Sequence, residues 1–362
     1  MNEYRVAMIP GDGVGPEVAA EATRIADAAA AKYGFGVEFD AFDWSCDRYL
    51  KRGEMMPDDA LDTLRPYDAI FLGCIGDAAK VPDHISLQML LRIRQGFDQY
   101  ANIRPIKLYP GVPTPVTTAT PETLDILVVR ENTEGEYSGL GGIFKEGTTD
   151  AFALQTGVFT RKGCERVMRF AFDLARARAK LGTGEVVGRV TNCTKSNALN
   201  YSMVFWDAVF DRVAADYPEV ETDVALVDAL TMWFVKNPDY FDVVVASNLF
   251  GDIITDLGAM LQGGMGFAAG GNINPERVFP SMFEPIHGSA PKYAGQSRVN
   301  PIASIEATRM MLEHLGEVEA AAGVEQAVAA TLAAGEARTR DIGGTSTTAE
   351  VGSAVAETLL AS

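Results

Sequence analysis

The chain has 362 residues, enough for two domains at roughly 150 residues each. Lys and Arg number 31 against 49 Asp and Glu, a net charge of −18, which excludes a duplex-nucleic-acid binder and argues against an anionic membrane surface, since both demand a basic face. Hydrophobic residues at 47% and charged residues at 22% belong to a globular chain with a sizeable core, not to a disordered one.

Taken in chain order, Tyr4 to Ile9 is apolar and β-like, Pro10-Gly11-Asp12-Gly13 breaks it, and Val18 to Tyr33 is an Ala-rich helical stretch. No stretch at this end has signal-peptide length, and no window reaches about 18 uninterrupted apolar residues; a cytoplasmic protein is expected. A helical segment from Asp58 to Leu64 precedes the apolar run Ala69 to Gly73. Further β-type runs are Ile126 to Val129, Val186 to Val190, Val224 to Val227 and Val243 to Ala246, with helical stretches between several of them. Strands alternating with helices predict crossover connections, a largely parallel sheet and an α/β fold. Glycine clusters at Gly139 to Gly142 and Gly263 to Gly271 predict turns or mobile loops, and the tail from Ala320 keeps the apolar spacing of a surface helix at Val324, Ala327, Val328 and Leu332. Cys46, Cys74, Cys164 and Cys193 are far apart with no CxxC pair, so buried thiols are expected and neither a disulfide framework nor a zinc knuckle.

Several residues can carry chemistry. Gly11-Asp12-Gly13-Val14-Gly15-Pro16 lies between strand and helix, but Pro16 stands where a dinucleotide fingerprint needs Gly or Ala. A tight turn into a helix and a different kind of nucleotide contact both fit. Asp252 and Asp256 are four apart in Asn248-Leu249-Phe250-Gly251-Asp252-Ile253-Ile254-Thr255-Asp256, so a helix puts both carboxylates on one face. Like charges that close call for a cation between them, and oxygen ligands suit Mg²⁺ or Mn²⁺; a solvated helix face is the alternative. Asp228 ends another apolar run. Arg94, Arg104 and Arg130 stand at the ends of apolar segments in a cation-poor chain, suited to bidentate docking of carboxylates or phosphates, or else to surface ion pairs. Tyr137 and Lys195 lie in polar, loop-like surroundings. Only three histidines exist, too few for a histidine-centred metal cage; His287, in a Gly/Pro-punctuated loop, is either an exposed imidazole able to stack on a base or a structural residue.

Together, Ile9 to Val18, Asn102-Ile103-Arg104-Pro105, Val129 to Tyr137, Asn248 to Asp256 and His287-Gly288-Ser289-Ala290-Pro291 resemble the β-decarboxylating dehydrogenases, which include isocitrate, 3-isopropylmalate, homoisocitrate and tartrate/D-malate dehydrogenases. The resemblance covers essentially the whole chain. Val81 to Leu87, Phe97 to Tyr100 and Met55 to Asp59 look most like the tartrate/D-malate branch. Isocitrate enzymes carry Ser and Asn where this chain has Gln88 and Leu90, which disfavours isocitrate; Leu90 is what the isopropylmalate branch sets against its apolar substituent, so that substrate stays open.

The resemblance implies an isopropylmalate dehydrogenase-like fold of two α/β domains sharing one sheet, 1–101 with 262–362 for the cofactor and 102–261 for substrate and dimerisation, with a dimer arm near 139–149. It implies NAD or NADP against Ile9, His287, Gly288, Ser289, Ala290, Lys292, Tyr293 and Asn300. Arg94, Arg104 and Arg130 would clamp the substrate carboxylates beside Leu90. Asp252 and Asp256, with Asp228 from the other subunit of a homodimer, would hold Mg²⁺ or Mn²⁺; Lys195, also from the neighbour, would take the C2 hydroxyl proton, and Tyr137 would protonate the enolate left by decarboxylation. Two departures stand out. Lys292-Tyr293 replaces the Asp typical of NAD-using members and matches NADP-using isocitrate enzymes, so NADP is expected to be accepted; and Asp77-Ala78-Ala79-Lys80 stands where this branch has a Trp-Pro stretch. Silent regulatory paralogues of this family lose a metal aspartate, the lysine or the tyrosine, all of which are present here.

Overall fold

The computed structural model describes residues 2–182 and 184–362. The chain runs β1 (Glu3–Gly11), α1 (Gly15–Tyr33), β2 (Gly36–Ala41), α2 (Cys46–Arg52), α3 (Ala60–Leu64), β3 (Ala69–Cys74), α4 (Asp83–Gly96), β4 (Ala101–Lys107), β5 (Asp125–Glu131), β6 (Gly141–Phe144), β7 (Phe152–Gln155), α5 (Arg161–Arg178), β8 (Gly188–Thr194), α6 (Ser202–Ala214), β9 (Val220–Leu226), α7 (Val227–Lys236), β10 (Val243–Ala246), α8 (Asn248–Leu261), β11 (Ala269–Ile273), β12 (Ser281–Pro285), α9 (Ile302–Leu315), α10 (Val318–Ala334) and α11 (Thr348–Ala361). Local chemistry sets several ends: α1 has Pro16 in its first turn and stops at Gly34, whose φ of 81° a side chain would resist, and α11 begins at a reciprocal cap between Thr347 and Glu350.

Ten strands form one sheet in the order β2-β1-β3-β12-β11-β4-β5-β10-β8-β9. Its two flanks are parallel, as the strand–helix alternation predicts. The centre is not: β12–β11, β11–β4 and β4–β5 are antiparallel. The chain crosses from one flank to the other twice, reaching β4 from α4 and β11 from α8, and both crossings land in this middle strip.

Side chains alternate across the sheet, and each face has its own core. On the front, Ala7, Ile9, Ile70, Leu72 and Met282 pack under α2, α3 and α4, while Ile106, Ile126, Val128, Val244 and Ala246 pack under α7 and α8. On the back, Val6, Met8, Phe71 and Phe283 meet α1 and α9, and Leu127, Val129, Val190 and Val245 meet α5 and α6.

Three expectations are corrected. The run from Val186 is a strand only from Gly188, and Val227 opens α7 instead of closing β9. Gly141 and Gly142 are in the exposed strand β6, and Gly270 and Gly271 in β11, where a Cβ on Gly270 would sit 2.5 Å from Ile286 Cδ1; the β11 glycines make room between packed layers, while Gly139, Gly263 and Gly264 take the positive φ of turns, as expected. The tail helix α10 has the expected surface-helix pattern: Ala320, Ala321, Val324, Ala327, Val328 and Leu332 are core, while Glu319, Ala322, Gln326 and Ala330 stay exposed. The four cysteines are free and buried, as expected. Among the described residues no helix is long and apolar enough to cross a membrane.

The Gly11–Gly15 turn owes its composition to close packing. Gly11 and Gly13 have φ of 73° and 57°, and a Cβ on them would lie 1.8 Å from the Cys74 oxygen and 2.0 Å from the Ser289 oxygen. Val14 N donates to that Ser289 oxygen at 2.8 Å. Gly13→Ala is therefore expected to cost about 3 kcal/mol, combining left-handed strain with a backbone clash; urea unfolding reads it, and a loss below about 0.5 kcal/mol contradicts the close packing of this turn.

Candidate active site

The front of the sheet carries its charged residues in the middle of β4 and near the end of β5. Arg104 on β4 and Arg130 on β5 are both buried, and both reach Asp252 in the second turn of α8. Arg130 Nη1 is ion-paired with Asp252 Oδ1, and Arg104 Nη1 stands 3.3 Å from the same oxygen. Tyr137, in a short 3-10 turn at Glu136–Ser138, donates its hydroxyl to Asp252 Oδ2 at 3.1 Å, with its ring 5.5 Å from the Arg130 guanidinium. Asn248 accepts from Arg130 Nε at 3.1 Å and Nη2 at 2.7 Å; Arg104 donates to Asn102 Oδ1 and Thr255 Oγ1, each at 2.7 Å. Gly251 permits this approach, because a Cβ there would lie 2.5 Å from Arg130 Cγ.

The electrostatics follow. Burial pushes the Asp252 carboxyl up, but Arg130, Arg104 and the Tyr137 hydroxyl outweigh it and hold it below the usual carboxylate range. Burial, then Asp252, raises Asp256. Burial, with Arg104 adding to it, lowers Arg130 to about 9, and burial together with Asp252 raises the Tyr137 phenol, which keeps its proton. The two aspartates predicted to need a cation are thus not a bare pair: the arginines supply charge to Asp252, while Asp256 is exposed one turn along. Two carboxylates on one face, one of them raised by the other, fit a divalent cation. Among the described residues of one chain no group of three His, Cys, Asp or Glu side chains able to hold a metal is assembled.

Arg94, near the end of α4, is tied to the other flank: its Nη2 donates to Glu284 Oε1 at 2.8 Å, an oxygen also bound by Asn272 Nδ2 at 2.8 Å. Its buried Nε has no partner. Leu90, one turn earlier, is 7% exposed in the front core. Lys195, just past β8, and Asp228, in the first turn of α7, form an ion pair of 2.5 Å with each other, and Asp228 is depressed chiefly by that lysine. The two residues expected to serve a neighbouring subunit sit together.

The cofactor-side residues gather where β1, β3 and the loop after β12 meet. Ile9 is fully buried beneath the turn, and Ser289 is buried with its hydroxyl on the Gly76 oxygen. Ala290 adopts φ of 39°, Gly288 is exposed, and Asn300 is buried with Nδ2 donating to Asp341 Oδ2 at 3.1 Å. His287 is not the exposed imidazole the loop suggested: its Nδ1 lies 3.1 Å from the Gly288 oxygen and 3.6 Å from Cys74 Sγ, and its Nε2 is buried with no partner. Burial lowers its pKa. A neutral imidazole with an unpaired buried nitrogen fits a nucleotide base. Exposed Lys292 stands 4.7 Å from the Tyr293 ring, and Arg298 stands 4.8 Å from the same ring.

Residues 5–355 match the family described as isocitrate/isopropylmalate dehydrogenase. The chain belongs to that family. It is 48% identical to a tartrate dehydrogenase/decarboxylase of Pseudomonas putida over 99% of this chain and 98% of the relative. It is 46% identical to a D-malate dehydrogenase [decarboxylating] of Escherichia coli strain K12, with 99% of each covered, and 46% identical to a 3-isopropylmalate dehydrogenase of Thermobifida fusca, over 98% and 97%. An isocitrate dehydrogenase structure from Methylococcus capsulatus superposes with a TM-score of 0.87 at 35% identity, covering 99% of both chains. This isocitrate/isopropylmalate dehydrogenase-family protein is a β-decarboxylating dehydrogenase, an oxidoreductase.

Sequence reasoning missed the residues that orient its charged groups. Asn248 lay inside a motif already singled out, and its position at the start of α8 was a usable signal. Thr255 lay in that same motif, whereas Glu284 and Asn272 gave none, because their partners Arg94 and Asn102 are 190 and 170 positions away.

Proposed function

We propose that the protein oxidises a 2-hydroxy dicarboxylic acid of the D-malate or tartrate type with loss of the β-carboxylate, using NAD or NADP and Mg²⁺ or Mn²⁺, as a cytoplasmic homodimer with shared active sites. The observation that carries this is the convergence of Arg104, Arg130 and Tyr137 on Asp252. Arg94, Arg104 and Arg130 bind the substrate carboxylates, the buried guanidiniums holding a dianion where water is excluded. Lys195 of the partner subunit takes the C2 hydroxyl proton, and Tyr137, which keeps its proton, delivers it to C3 after CO₂ has left. Asp252 and Asp256 with the partner subunit's Asp228 would hold the metal. Bound together, the nicotinamide and the metal supply a hydride acceptor and an electron sink for the decarboxylation. The exposed hairpin β6–β7, with Ile143, Phe144, Phe152 and Leu154 outward, supports the dimer. The antiparallel middle of the sheet supports a division into 1–101 with 262–362 and 102–261. Initial rates with D-malate and Mn²⁺, NAD and NADP side by side, test the proposal; no turnover with either cofactor defeats it. The 46% identity to an isopropylmalate enzyme keeps that substrate as the second reading, against which stands the burial of Leu90, which leaves little surface for an apolar substituent.

Lys292 and Arg298 flank Tyr293 and present two cations where a 2′-phosphate would lie. Lys292→Asp is expected to lower the NADP/NAD ratio of kcat/KM at least tenfold, about 1.4 kcal/mol; an unchanged ratio removes Lys292 from cofactor selection.

A further inference from the structure

The middle strip of the sheet is covered unequally. On its front lie α4 and α8. On its back, α5 covers one flank and α9 the other, and neither β4 nor β11 brings a crossover helix of its own to that face. The gap is a cleft of about 560 Å³, walled by Phe170 and Leu174 of α5 and by Met310 and His314 of α9, within the size range of small-molecule sites. Its floor is apolar, formed by Ile103, Leu127, Ile273 and Phe283. On β4 the alternation places Arg104, which faces Asp252, between Ile103 and Pro105, which face this cleft.

Four cations and three carboxylates line the cleft in a chain of net charge −18. Each carboxylate is taken: Asp125 by Arg178 at 3.0 Å, Glu313 by Arg309 at 3.0 Å, and Glu325 by Lys107. Arg277 is left with no side-chain partner among the described residues. It sits at φ of 55°, in a turn braced by Asn274 Oδ1, which accepts from Val278 N at 2.9 Å and Phe279 N at 3.3 Å. Beside it His314 is neutral, burial first and Arg277 second having pushed it down to about 4, and its ring lies 5.5 Å from that of Phe283. The free charge therefore belongs to Arg277, at the rim of an apolar trough.

We propose that this back cleft is a second ligand site, taking a small carboxylic acid with an apolar body: the carboxylate on Arg277, the hydrocarbon on Phe283, Met310 and Ile273. An occupant touches α5 on one flank and α9 on the other, on the face of β4 opposite Arg104, so it does not compete for the substrate-binding arginines. Binding here is independent of which dicarboxylate is oxidised.

Calorimetric titration of the full-length protein with octanoate tests it, with inorganic phosphate as the bare-anion control. Expected are saturable octanoate binding unaffected by saturating D-malate and Mn²⁺, no binding of phosphate at the same concentration, and affinity at least tenfold weaker in Arg277→Ala. Ala177→Trp, on the exposed rim of α5, fills the cleft without touching charge and should weaken octanoate similarly. Both variants should melt as the wild type does when octanoate is absent. No octanoate binding, displacement by D-malate, equal binding of phosphate, or undiminished binding in either variant each overturns the proposal.

Discussion

Mixing two inactive variants, Lys195→Met and Asp252→Asn, is expected to restore about a quarter of wild-type specific activity, because half the randomly assorted dimers of a two-fold enzyme are mixed and each has one intact site. Alone, Lys195→Met removes the base and should lower kcat by about 10²–10⁴-fold; Asp252→Asn removes the carboxylate on which Arg104, Arg130 and Tyr137 converge. Recovery follows only if Lys195 and Asp252 of one site come from different chains. Within one chain Lys195 pairs with Asp228 at 2.5 Å. If the mixture, after subunit exchange verified by native mass spectrometry, shows no more activity than its components, each chain works alone and the shared-site reading fails.

Replacing Arg130 has the second large effect. Its guanidinium holds Asn248 through two nitrogens and Asp252 through a third, a fork that no ammonium reproduces. Arg130→Met should lower kcat/KM by about 10²–10³-fold, by analogy with the loss of other preorganised charge-stabilising donors. It also strips Asp252 of its nearest cation and Asn248 of both its guanidinium donors, so the melting temperature should fall as well. Arg130→Lys is expected to recover stability in part but to stay at least tenfold below wild type in kcat/KM, roughly 1.4 kcal/mol. Activity within about threefold of wild type, under 1 kcal/mol, means that the forked geometry is not what the site uses.

Much of the site was legible because its residues sit in short segments whose order and spacing survive without the fold. Asp252 and Asp256 needed only helical periodicity, and Arg130 only its place after an apolar run. What spacing could not supply was the partner of each charge. The aspartate pair suggested a missing cation, and two of the cations proved to be arginines from β4 and β5, more than 120 positions away in sequence for both. His287 read as either an exposed imidazole or a structural residue because glycine and proline surround it, and the loop's fold back on the Gly11–Gly15 turn, which buries its ring nitrogen, decided against exposure. The Gly11-Asp12-Gly13 turn left two meanings open, and backbone approach to Cys74 and Ser289 accounts for its glycines.

The sequence by itself determined the α/β class, the strand–helix alternation of the flanks, the burial of four free thiols and the family. Each of these rests on local periodicity, composition or ordered motifs, which no long-range contact has to complete. Only the tertiary structure decided the antiparallel middle of the sheet. β4, β11 and β12 carry Asn, Arg, Pro, Gly or Glu at positions where a strand pattern demands apolar residues, because their polar side chains are satisfied by one another across that strip: Asn102 with Asn272 at 2.9 Å, and Asn272 with Glu284 at 2.8 Å. A buried polar residue is read as a loop until its partner is in place, and those partners are brought together only when both flanks of the sheet have formed.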